Sequence, residues 1–189
     1  ATWMAPILLM QVGIVMPACL AILDVAAAPD QGRTLSLRRY LLLPFRNPIT
    51  IGILLGLAVN LTGLALPADL MRPIDMIGAI AVPLMLLAFG VSLRLDPLPG
   101  RGEHNVEAWT TVALKIVLHP LAAWLIGRAF GLTGHELFAV AVLGALPAAQ
   151  NVHVIATRYE RAELLARDAV FWSTILSVGS LLTIAAWLG

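Results

Sequence analysis

Residues 146 to 159, LPAAQNVHVIATRY, place Pro147, Gln150, Asn151 and His153 in the middle of an apolar run long enough to cross a bilayer. Pro147 has no N–H to donate, and its ring clashes with the carbonyl one turn earlier, so a continuous helix must break or kink there. Backbone groups freed at membrane depth are tolerated only where protein or a water-filled cavity satisfies them. A break flanked by two amide side chains therefore predicts a polar site inside the membrane. The alternative is a plain proline kink, with Gln150 and Asn151 bonding across a helix interface.

Composition sets the environment. Of 189 residues, 60% are hydrophobic and 12% charged, where a soluble domain has about half and a quarter, and the mean hydropathy is +0.90. These values imply an integral membrane protein. The net charge of +1 gives no sign of a nucleic-acid partner. Cys19, the single cysteine, lies in an apolar run and can form no intrachain disulfide. The first apolar run is too long for a signal-peptide core and has no basic flank, so no cleavable signal is expected. The chain opens on Ala rather than Met, which fits a fragment or a processed product.

Six runs reach the ~20 residues that a spanning helix needs: about 3–26, 48–66, 73–93, 108–131, 136–157 and 168–188. The linkers carry the turn formers, among them Pro29-Asp30, Asn47-Pro48, the stretch 97–102 and Thr133-Gly134. The first, third and fifth linkers hold nine cations: Arg33, Arg38, Arg39, Arg46, Arg94, Arg101, Arg158, Arg161 and Arg167. The opposite side has only Arg72 and Arg128, and Lys115 lies within a span. By the positive-inside rule the odd linkers face the cytoplasm and both ends of the chain face outward across the cytoplasmic (inner) membrane.

Lys115 sits about seven residues into the fourth span, with His119 one turn later on the same face and just before Pro120. Ionisable groups inside a membrane are costly and usually face a cavity or a partner. Lys115 could hold a substrate carboxylate, although its stem is also placed to snorkel to the cytoplasmic surface. The imidazoles of His119 and His153 could load and release a proton near neutral pH. Pro83, at the centre of the third span among small residues, offers a second local weakening of a helix, with close packing as its competing role. Asn60 in the second span, and Ser173 and Ser177 one turn apart in the sixth, could line a path, although membrane hydroxyls often bond their own backbone. Asp24 and Asp75 lie near span ends and are read as interfacial. The scattered methionines form no metal set, and the four histidines fall in different segments. There is no HExxH, GxSxG or Walker loop and no acidic pair within a span. No metal, no cofactor and no enzymatic chemistry are expected.

NPITIGILLGLAVNLTGLALP from Asn47, IGAIAVPLMLLAFGVSL from Ile77 and LPAAQNVHVIATRY occur in an order, with ALKIVLHPLAAWLIG between the last two and STILSVGSLLTIAAW after them, that resembles the auxin efflux carrier family, in particular its bacterial members. The resemblance covers residues 47–189. It implies an all-α fold of ten helices in two inverted five-helix repeats, with one broken helix in each repeat and the breaks crossing at the substrate site. On that pattern 1–27 is the last helix of the first repeat, 28–46 a basic cytoplasmic linker and 47–189 the second repeat. Pro147 falls at the crossover proline, Gln150 and Asn151 at the amides beside it, and Lys115 where this family often has a lysine.

The expected function is a secondary transporter, or its C-terminal part, moving a small organic anion such as a carboxylate by alternating access, with H+ or Na+ as coupling ion. Its first crossover helix would come from missing N-terminal helices or a second subunit. The alternative is a non-transporting membrane subunit or sensor that packs against another membrane protein.

Overall fold

The computed structural model describes residues 10–27, 48–102 and 104–188. The basic linker expected over 28–46 and the start of the first span lie outside them. Among the described residues every regular element is helical, and they divide into two units, Ala1–Asp75 and Met76–Gly189. In the first unit a π-helical turn, Gln11–Val15, leads into α1 (Met16–Ala27), and α2 (Pro48–Thr62) packs on that turn. The long α3 (Ala68–Leu95) begins in the first unit and continues in the second. The second unit adds α4 (Asn105–Ala129), α5 (Gly134–Ala145), α6 (Asn151–Arg158) and α7 (Glu163–Leu188). Helix α7 packs on α4, α5 and α6, and α4 packs closely on α5.

Three helices, α3, α4 and α7, are long and apolar enough to cross a membrane on their own. The other expected spans appear as shorter apolar helices, Gly13–Ala26, Pro48–Thr62 and Gly134–Ala145. Helix α3 buries none of its 28 residues, and its Ile77, Ile80, Leu84 and Leu87 are all exposed. A helix apolar all round suits lipid and not water.

Prolines explain the irregular turns. The π turn Gln11–Val15 ends just before Pro17, and a second, Leu114–Leu118 in α4, ends just before Pro120. In each, the amide before the proline bonds five residues back, Met16 to Gln11 and His119 to Leu114, which widens the turn ahead of the proline ring. Pro120 also leaves the Ile116 carbonyl without its helical donor, and Ser180 Oγ of α7 supplies one at 3.3 Å.

The larger interruption is at Pro147. Helix α5 stops at Ala145, and Leu146 turns extended (φ −59°, ψ 143°), the conformation a following proline imposes. An unbroken helix would join the Ala148 N–H to the Gly144 carbonyl. Here the two halves of that bond are satisfied separately. Ala148 N–H donates to Ser173 Oγ at 3.0 Å, and the Gly144 carbonyl lies 2.7 Å from His119 Nδ1. Ser173, only 1% exposed, donates its own O–H to the Val170 carbonyl at 3.2 Å.

Gly144 also fixes how closely α4 and α5 approach. A Cβ there would fall 2.8 Å from Ala123 Cβ and 3.1 Å from Pro120 Cα, so the contact requires glycine.

Arg167, read from the sequence as a linker cation, instead belongs to α7 and is 1% exposed. Its Nε and Nη2 donate to Asp168 Oδ1 at 2.9 and 2.6 Å, while Gly100 N–H donates to Asp168 Oδ2 at 2.8 Å. Arg167 Nη1 reaches the Ser92 carbonyl at 3.5 Å and Asp96 at 3.7 Å. The pair thus ties the end of α3 and the loop after it to α7.

Two outcomes are expected in detergent denaturation titrations. Arg167→Ala, which leaves Asp168 buried without its partner, costs about 3–5 kcal/mol. Ser173→Ala, which leaves the Ala148 N–H unsatisfied, costs about 1–3 kcal/mol. Losses under 0.5 kcal/mol would mean that water reaches these groups.

Candidate functional site

The break between α5 and α6 gathers most of the polar groups singled out in the sequence. Pro147 and Gln150 lie within it, half-buried, and Asn151 is the first residue of α6. Around the start of α6, Val152 N–H bonds the Ala149 carbonyl at 3.1 Å, and His153 and Val154 N–H bond the Gln150 carbonyl at 3.0 and 3.3 Å. The N–H groups of Ala149, Gln150 and Asn151 have no partner among the described residues, and the Gln150 side chain makes no capping bond. Three unpaired donors at the positive end of a helix dipole make a place suited to an anionic oxygen.

Lys115 reaches this break through His119. The ammonium Nζ is 3.2 Å from His119 Nδ1, and that same nitrogen is 2.7 Å from the Gly144 carbonyl. One nitrogen cannot both donate to the carbonyl and accept from the ammonium. A carbonyl only accepts, and its contact is the shorter, so Nδ1 carries the proton and Lys115 gains no acceptor there. The half-buried Lys115 ammonium is left with donors to spend on another group.

The remaining expectations separate. Ser173 is part of the break as its hydrogen-bond acceptor, whereas Ser177, 3% exposed, donates to the Thr174 carbonyl at 2.8 Å in its own helix. Pro83 is exposed on α3, which runs through it without interruption. Asn60 is exposed on α2 in the first unit. His153 is 8% exposed and stacks edge-to-face on Phe89, ring centroids 5.6 Å apart, and its Nδ1 has no partner.

Two features escaped the sequence reading. Ser180, which restores the bond lost at Pro120, follows Ser173 at i+7 and Ser177 at i+3, a one-face stripe that the spacing alone announces. The buried Arg167–Asp168 pair left no such signal, because neighbours in sequence point apart on a helix. Among the described residues no group of His, Cys, Asp and Glu is placed to hold a metal.

The profile of a family described as membrane transport protein matches residues 15–187. A protein of Rhizobium meliloti (strain 1021), named "Putative malonate transporter", is 32% identical over 135 residues. That match covers 71% of this chain and 41% of the relative, so the chain spans less than half of the protein it resembles. No solved structure matches the chain. With a profile matched along nearly its whole length and helices suited to a bilayer, the chain is a multi-pass membrane protein that belongs to the membrane transport protein family, that of the auxin efflux carriers.

Proposed function

We propose that the chain forms part of a secondary transporter that moves a small organic anion, a mono- or dicarboxylate, by alternating access around the α5–α6 break. The observation that carries this reading is that the break leaves three N–H groups unpaired at the start of α6 and is approached, through His119, by a lysine whose ammonium has no acceptor there. A carboxylate would satisfy both, since charge-assisted bonds to N–H donors are shorter and roughly twice as strong as neutral ones. Gln150 and Asn151 would orient it, and Lys115 would complement its charge. The printed name of the relative makes malonate the first solute to try.

In this reading 47–189 is the second five-helix repeat, with α5 and α6 as the two halves of its broken helix, and 1–27 ends the first. The odd linkers face the cytoplasm across the inner membrane. A second break, from further helices or a second polypeptide, completes the site. Pro83 and Asn60, both exposed, are given no part in holding the anion in this reading.

The test is uptake of labelled malonate and of an indole carboxylate into proteoliposomes, by this chain and by a version extended by its upstream coding sequence. Asn151→Ala is expected to cut flux at least tenfold while the protein remains in the membrane, and normal flux would sink the site assignment. Lys115→Gln is expected to raise KM about tenfold or more, the equivalent of one charged hydrogen bond of about 1.5–3 kcal/mol. An unchanged KM would return Lys115 to a snorkelling role.

A further inference from the structure

A cleft of about 500 Å³ opens between the end of α3, α6 and the start of α7, and its walls include Ser92, Asp96, His153, Thr157, Arg158 and Glu163. His153 is the one buried imidazole among the described residues; His104, His119 and His135 are exposed. It lies in the half-helix that starts at the break, two residues after Asn151.

The two histidines near the break have opposite commitments. His119 Nδ1 holds the Gly144 carbonyl, and protonating its other nitrogen would set a second cation beside Lys115. His153 Nδ1 holds nothing, and its ring rests against the edge or face of Phe89, which neither gives nor takes a proton. The charged groups around the His153 cleft are Asp96 from α3, Arg158 from α6 and Glu163 from α7, one negative charge in excess. Deeper, Arg167 and Asp168 neutralise each other, with Arg167 3.7 Å from Asp96. An imidazolium at 153 would therefore meet counter-charge, and His153 forms part of the cleft wall although its Nδ1 is buried.

We propose that His153 is the group that takes up and releases a proton coupled to solute movement; this rests on the transport reading and names its coupling ion and the ion's site. The basic nitrogen of the imidazole accepts a proton from water in the cleft, with Asp96 and Glu163 offsetting the charge. The same proton returns to water when α6 next faces the other side. Because α6 also carries Asn151, proton and anion would ride on one element, which is what couples them.

The experiment is malonate accumulation by the full-length protein in proteoliposomes, with and without an imposed gradient of one pH unit. One proton per solute allows a tenfold ratio at most, since one pH unit is about 1.36 kcal/mol. A ratio well above 1 is expected for the wild type and for His135→Asn, at an exposed histidine outside the break. His153→Asn and His153→Gln are expected to bring the ratio to 1. A ratio of 1 in the wild type, or a retained ratio in both position-153 variants, overturns the assignment while leaving transport standing. No flux in any protein overturns transport and the proton site together. Histidine-labelled ¹⁵N spectra give a second reading: His153 should show both a neutral and a charged form as the pH is varied, and a single form throughout overturns the proposal.

Discussion

The structure turns on one backbone hydrogen bond that is not made. At membrane depth an N–H or carbonyl without a partner costs several kcal/mol, and no water stands by to relieve it. Pro147 removes the ladder around Ala148 and Gly144, and the chain answers with one side chain for each orphan, Ser173 for the donor and His119 for the acceptor. Those two residues come from α7 and α4, so the repair of α5 requires that both pack against it. The helix arrangement of the second unit follows from this requirement: α7 lies against α4, α5 and α6, and α4 against α5.

The same logic explains why the repair stops where it does. Ala148 and Gly144 are satisfied, yet the N–H groups of Ala149, Gln150 and Asn151 are not. A break needed only for shape would close these donors by a capping side chain, and Gln150 does not cap. Open donors at a break that Lys115 approaches through His119 are a state that a bound anion would complete.

Much of this was legible in the sequence because proline acts locally. The interruption at Pro147 and the helix-face pairing of Lys115 with His119 need only residues within a turn or two. The two π turns, not anticipated from the sequence, have an equally local cause in Pro17 and Pro120. The repairs were not legible, since His119 to Gly144 and Ala148 to Ser173 each join residues 25 apart in sequence, and nothing local to either names the other. Arg167 misled for a different reason: counted with the linker, it is turned inward by Asp168, the Ser92 carbonyl and Asp96. Pro83 shows the limit of the proline rule, since α3 continues through it.

Gly144 sets the terms on which α5 can move. With Ala123 and Pro120 so close that no Cβ fits between them, a slide of α5 by one turn along α4 that brought Val140 to the place of the glycine would put there atoms that the gap does not admit. A milder contact lies nearby, where a Cβ at Gly127 would stand 3.0 Å from Leu137 Cδ1, the movable end of a side chain. Gly144 acts as the ward of a lock and holds α4 and α5 in a single register, as one rigid lever. Any rocking of this half of the fold then has its fulcrum in the few residues from Leu146 to Gln150, where the helical ladder is already open.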